Sequence, residues 1–120
     1  MPLTVKVEEK QSGVFLITPK GRIDSETYQF FDKKTSSVLA PDTKTIIIDM
    51  DFVYYINSSG LGIILKLRKH AECNAGKFII TNLQPQIKKV FDVIKALPEQ
   101  SIFESMAEVD KYLDMLQTED

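Results

Sequence analysis

The sequence predicts an α/β fold: a small mixed sheet of four to five strands with helices packed on it. Three observations carry that prediction. Strand-like segments take turns with helix-period segments along most of the chain, the pattern of parallel strands joined by right-handed crossovers. The first two strand-like segments are separated only by a tight turn, so they pair antiparallel and make the sheet mixed. Thr45-Ile46-Ile47-Ile48-Asp49-Met50 holds three consecutive isoleucines, which suits a central strand covered on both faces.

The elements follow in order. Leu3, Val5 and Val7 alternate with Thr4, Lys6 and Glu8, the two-residue period of a half-exposed strand. Gln11-Ser12-Gly13 signals a turn, and Val14-Phe15-Leu16-Ile17 is the second strand, which Pro19 and Gly21 are expected to end. Ser25 to Leu39 reads as a helix with Phe31, Lys34, Val38 and Leu39 on one face, weakened at Thr35-Ser36-Ser37 and closed by Pro41-Asp42. The isoleucine strand comes next. Asp51 to Ile56 receives no element.

From Leu61 to Cys73 the period becomes helical. Leu61, Ile64, Leu65 and Ala71 form one side, broadened by Ile63 and Leu67, and Asn74-Ala75-Gly76 is the stop signal. Lys77 to Thr81 is a short apolar strand. Pro85 opens a helix with Ile87, Val90, Phe91 and Ile94 at helical spacing, and Pro98 follows its end. Ile102-Phe103 reads as a last short strand, and Met106 to Leu116 as a final helix carrying Val109, Leu113 and Leu116 on one face. The order is β-β-α-β-α-β-α-(β)-α, and residues 1–120 read as one domain.

Composition narrows the function classes. The formal charge is −2, which argues against chain-wide attraction to nucleic acid or an anionic membrane. A single cysteine, Cys73, and a single histidine, His70, are too few for a structural zinc site or an internal disulfide. No apolar run approaches the ~20 residues of a membrane helix, and the N-terminus lacks a signal-peptide core. A cytoplasmic protein is the expectation, with no nucleic-acid or membrane partner, no cofactor and a monomeric or weakly dimeric state. There is no catalytic triad, no Gly-rich nucleotide loop after the first strand and no metal set, so an enzyme is not expected.

The informative stretch is Asp49 to Arg68, running strand, loop, Asn57-Ser58-Ser59-Gly60, helix. Parallel sheets place functional loops at the carboxyl ends of their strands. Gly60 and Gly62 at a helix start cost about 1 kcal/mol each relative to alanine, so another gain, such as close approach of a backbone or a phosphate, has to offset them. Ser58 or Ser59 could serve as N-cap of the helix. One serine could also accept a phosphate, which free N–H groups and the helix dipole would favour. The two roles are compatible if one serine caps and the other reacts.

Tyr55-Ile56-Asn57-Ser58-Ser59-Gly60-Leu61-Gly62 resembles the Asp-Ser-Ser-Gly-Leu-Gly signature of the STAS family, in particular its anti-sigma factor antagonists. Gly21-Arg22-Ile23-Asp24, Ile46-Ile47-Ile48-Asp49, Lys77 to Thr81, Pro85 and Val90-Phe91 match further family elements in order, so the resemblance runs from about Leu3 to Leu116. It implies a STAS-like fold. It also implies that the unphosphorylated protein binds a GHKL-type serine kinase that is also an anti-sigma factor, thereby releasing a sigma factor. Phosphorylation at Ser58 would switch binding off, and a PP2C-type phosphatase would reset it. Asn57 stands where the family usually has Asp, which removes a charge and bears on kinase recognition.

The partner surface is expected around Asp24, Asn57, Ser58, Ser59 and Gly60, with Lys66, Arg68 and Lys69 pointing outward from the helix. The alternative is a STAS-type regulatory or scaffold subunit acting without phosphorylation, for example in a transport complex. Asp24, Asp49 and Asp51 could form a Mg²⁺-binding cluster, although Asp24 reads better as cap of the first helix and Asp49 and Asp51 as strand-end and turn residues. His70 is expected on the solvated surface, Cys73 buried or half-buried, and Tyr54 and Tyr55 as packing and rim residues.

Overall fold

Gly13 takes φ +77, a left-handed conformation that glycine enters without steric cost, and so closes the hairpin at the start of the chain. The structure is a computed structural model and describes residues 3–95 and 106–118. Strand β1 (Thr4–Gln11) pairs antiparallel with β2 (Val14–Ile23), with Val7 opposite Ile17. The Gly13 carbonyl accepts the N–H groups of Lys44 and Thr45 at 2.8 and 3.0 Å, which ties this turn to the start of the third strand.

That strand, β3 (Thr45–Asp49), runs parallel to β2 on one side and to β5 (Lys77–Thr81) on the other. The isoleucine run is therefore central, as expected, but it is not covered on both faces. Ile46 and Ile48 are fully buried, whereas Ile47 is half-buried between half-buried Leu16 and Ile79, which is 44% exposed. One face carries the core and the other is partly open.

Two expectations about strands fail here. Pro19 and Gly21 do not end β2, which continues to Ile23. Along one edge, Val14 to Ile17 pair with β3 and Lys20 to Ile23 pair with β4 (Phe52–Ile56), so Pro19 falls at the changeover, where a missing N–H takes nothing from the parallel ladder. Gly21, at φ +128, meets the register shift in the β4 pairing. β4 itself carried no sequence assignment. Only Met50 and Asp51 separate it from β3, and both strands pair in the same direction with successive halves of β2. A two-residue gap ordinarily signals a hairpin; here the chain merely jogs, with Val53 N–H bonded to Met50 C=O.

Helix α1 (Tyr28–Thr35) is shorter than predicted and tightens into a 3₁₀ turn over Ser36–Val38, the stretch of low helix propensity. Phe31 and Val38 are buried but Lys34 is exposed, its ammonium over the Phe30 ring. Helix α2 (Ser58–Cys73) buries Leu61, Ile63, Ile64, Leu67 and Ala71 and packs on β3, β5 and α1. Helix α3 (Pro85–Lys95) buries Ile87 and Val90, and α4 (Met106–Thr118) buries Leu113, each against its neighbour. The predicted Ile102-Phe103 strand and Pro98 lie outside the described residues.

The stop of α2 assigns its residues differently from the sequence reading. Ala75, not Gly76, takes the left-handed conformation, at φ +57. Gly76 is required because a β-carbon there would strike the Lys44 backbone carbonyl, whose oxygen accepts the Lys77 N–H at 2.8 Å. Ala75→Gly is therefore expected to raise stability by about 0.5–1 kcal/mol, and Gly76→Ala to lower it by about 1–3 kcal/mol. Urea unfolding of the two variants would show opposite shifts.

Candidate functional site

Two strand ends meet at the site. Asp24 follows β2, and Asn57 follows β4, the fourth strand in the chain. Because β2 and β4 are parallel neighbours, both loops open at one end of the sheet, and the Asn57 N–H bonds to the Ile23 carbonyl at 2.9 Å. Asp24 does not cap α1 directly. Its Oδ1 accepts the N–H groups of Glu26 and Thr27 at 3.0 and 3.2 Å, closing the turn before the helix, while the N-cap position, Thr27, has no side-chain cap. Burial pushes the Asp24 carboxyl up, but the bonds from Glu26, Arg22 and Thr27 together outweigh it and hold the group below the usual carboxylate value.

Neither serine caps α2. Asn57 does: its Oδ1 accepts the Gly60 N–H at 2.9 Å, and its backbone is extended, as an N-cap requires. Gly60 has no room for a β-carbon, which would collide with Ile23 and crowd Ile56. The helix cost that Gly60 imposes is thus offset by close packing against the Ile23 and Ile56 side chains, not by the approach of a backbone or a phosphate that the sequence suggested. Ser58 is buried at 1% exposure, although it was expected on the partner surface, and its Oγ has no hydrogen-bond partner among the described residues.

One element that reaches Ser58 is α4, a helix absent from the sequence-derived site. The Ser58 N–H donates to Asp110 Oδ1 at 2.7 Å. The Tyr55 hydroxyl donates to Asp114 Oδ1 at 2.8 Å. The Gln117 amide clasps the Ile56 backbone in both directions, accepting from its N–H and donating to its carbonyl, each at 2.6 Å. Asp110, Asp114 and Gln117 are spaced i, i+4, i+7, a polar stripe visible in the sequence, but nothing local in the chain says where it docks.

Arg22 links the two sides of the site. Its guanidinium lies 4.0 Å from the Tyr55 ring centre and its Nε 3.4 Å from Asp24 Oδ2. Burial, then the bond to Asp114, push the Tyr55 hydroxyl up to about 12; the charges of Asp114 and Asp110 add to this and Arg22 opposes it. Tyr54 is 42% exposed at the rim.

Beside Ser58 runs a groove of about 360 Å³ between α1 and α2, lined by Tyr28, Asp32, Ser59, Gly62, Ile63 and Lys66 as well as Ser58. Lys66 spans it to Asp32 at 2.6 Å. Arg68 and Lys69 are exposed but line no part of the groove, and Arg68 pairs along its own helix with Glu72. Tyr28 and Asp32 were not among the predicted site residues.

Other candidates resolve differently from expectation. His70 is half-buried, its Nε2 2.8 Å from the Ala40 carbonyl, so it braces the loop before β3. Cys73 is exposed. Among the described residues no three His, Cys, Asp or Glu side chains converge on a metal-sized site. Asp49 instead accepts the Asp51 N–H at 3.1 Å, a strand-end turn.

With this geometry in hand, the family follows from comparison. The model of the STAS domain family matches residues 6–109, most of the chain. The chain belongs to the STAS domain family. An anti-sigma F factor antagonist of Lysinibacillus sphaericus is 31% identical over 72 residues, spanning 59% of this chain and 62% of that protein. The unphosphorylated form of the anti-sigma factor antagonist SpoIIAA is similar at a TM-score of 0.63 and 26% identity, over 74% of this chain and 82% of its own. The phosphorylated form of the Bacillus cell fate determinant SpoIIAA shares the fold at a TM-score of 0.65 and 22% identity, over 84% and 97%. No helix among the described residues of this STAS domain is long and apolar enough to cross a membrane.

Two measurements test the site. Asn57→Ala should cost about 1–2 kcal/mol in urea unfolding, since it strands the buried Gly60 N–H, whereas Asn57→Asp should keep the cap and stay within about 0.5 kcal/mol. Tyr55 should titrate near pH 12 by phenolate absorbance, and Tyr55→Phe should remove that phase. A raised folded value means that the Tyr55–Asp114 bond stabilises fully below the unfolded value near 10 and is lost as pH climbs through about 12.

Proposed function

We propose that this STAS domain is an anti-sigma factor antagonist that works by partner switching, with Ser58 as the switch. The observation that carries this reading is the Ser58 hydroxyl. It has no hydrogen-bond partner among the described residues, sits at the first residue of α2, is relieved of any capping duty by Asn57, and borders the α1–α2 groove. A serine kept only for capping would not leave its hydroxyl free while its neighbour caps. The names of the L. sphaericus relative and of SpoIIAA point to the same function.

The unphosphorylated protein binds an anti-sigma factor that is also a serine kinase, through the rim formed by Asp24, Ser59 and the groove, with Asn57 buried behind it, and so frees a sigma factor. The partner kinase then transfers the γ-phosphoryl group of a nucleoside triphosphate. A bond forms between Ser58 Oγ and phosphorus, the bridging P–O bond to the β-phosphate breaks, the diphosphate leaves, and the hydroxyl proton goes to a base on the kinase. The chain supplies a substrate and a surface, and no catalytic group. The product carries about −1.5 to −2 added charge at the rim. Repulsion or desolvation of that charge against the partner needs only about 1.4–2.8 kcal/mol to weaken binding ten- to a hundredfold. A phosphatase of the PP2C type restores the serine. All of this takes place in the cytoplasm.

A binding titration against the cognate kinase tests the proposal. Ser58→Asp and the phosphoprotein should bind at least tenfold more weakly than wild type, while Ser58→Ala binds normally and does not switch off with nucleotide. Equal affinity of all forms would make this a module that regulates without phosphorylation.

A further inference from the structure

We propose that α4 is a latch on Ser58, and that docking of α4 and phosphorylation of Ser58 exclude one another. The inference rests on the reading of Ser58 as the switch and concerns how that switch is housed. The Ser58 hydroxyl is enclosed, with the residue 1% exposed, so a kinase cannot reach it while its surroundings stay as they are. The Ser58 N–H, three bonds from that hydroxyl, is already taken by a carboxylate, Asp110 Oδ1 at 2.7 Å. This is the anion seat at the N-terminus of α2, where free N–H groups and the dipole favour negative charge. A phosphoryl group on Ser58 would compete for that same seat. It also cannot share it, because two anions would then crowd one enclosed site.

The relief available is for α4 to leave. Its hold is mixed: Asp110, Asp114 and Gln117 bond to the strand ends, and Leu113, 1% exposed, packs into the core, so release of α4 also uncovers that side chain. Losing Asp110 to a competing phosphate also brings that charge toward Asp114 on the next turn of the same stripe. The covered surface, the backbone of Ile56 and Ser58 and the Tyr55 hydroxyl, then becomes part of the rim that a partner meets. A kinase would meet the same requirement in reverse: α4 must lift before the hydroxyl is presented, so Asp110 sets how readily Ser58 is modified.

Hydrogen–deuterium exchange, read by mass spectrometry on the intact 120-residue chain, tests the latch without a kinase. Phosphoserine is encoded directly at position 58, and exchange over residues 110–118 is compared with wild type, Ser58→Ala and Asp110→Asn. The phosphoprotein and Asp110→Asn should each exchange at least tenfold faster over 110–118, while β3 and Ser58→Ala remain as protected as wild type. Unchanged protection of α4 in the phosphoprotein would overturn the latch, as would loss of protection across β3, because the phosphate would then be unfolding the sheet. Since Asp110→Asn could loosen α4 through packing alone, Tyr55→Phe serves as the second variant. It removes the Asp114 hold but leaves the anion seat intact, so Tyr55→Phe alone should keep more protection over 110–118 than the phosphoprotein, and adding phosphoserine to it should accelerate exchange a further tenfold. Tyr55→Phe protected as wild type with no acceleration on adding phosphoserine would contradict competition at the seat. Partner affinity, measured separately, distinguishes the two claims. A released α4 with unchanged affinity counts against partner switching, and weakened affinity with α4 still docked counts against the latch.

Discussion

Gly60 lies against Ile23 with no room for a β-carbon, and that approach decides where α2 begins. It draws the first turn of the helix onto the end of β2, where the Asn57 N–H reaches the Ile23 carbonyl. Asn57 can then cap Gly60, and Ser58 is carried into the enclosed position between the strand ends and α4. A larger residue at position 60 would push the helix out and separate the Asp24 and Asn57 loops. The constraint is steric and local, yet it sets the distances on which the proposed chemistry depends.

The site balances charge as well as shape. Asp110 supplies the anion that the helix N-terminus favours, and Arg22 sits between the Asp24 carboxylate and the Tyr55 ring. Stability and function therefore meet at the same atoms. The group that completes the resting site is an exchangeable side chain on a helix of mixed anchorage. A switch assembled this way leaves the sheet, with its fully buried Ile17, Ile46 and Ile48, outside the changes.

Much of this was legible in the chain. The isoleucine run, the change of period after Gly60 and the Pro85 start each place an element from its own residues, because a buried strand or an amphipathic helix writes its face into local spacing. The Asn-Ser-Ser-Gly turn was legible as the start of α2, because its residue types suit a helix N-terminus. What stayed hidden depended on partners distant in sequence. β4 pairs where β2 outruns β3 and offers a second length of edge; Phe52 to Ile56 are strand-forming types, but nothing local says which edge they join. His70 looked solvated beside charged neighbours until Ala40 came to meet it. α4 entered the site through bonds spanning more than 50 residues of chain, whereas the cap passed from serine to Asn57 through a bond spanning only three residues.

The central claim concerns one hydroxyl among two adjacent serines, and site mapping addresses it most directly. Protein recovered from its own cells in the switched-off state would be digested and fragmented by tandem mass spectrometry across residues 57–62. The proposed switch predicts the phosphate on Ser58, although its neighbour Ser59 is the less buried of the two serines. Phosphate on Ser59 alone would contradict the account, because the anion seat and α4 would then play no part in the switching.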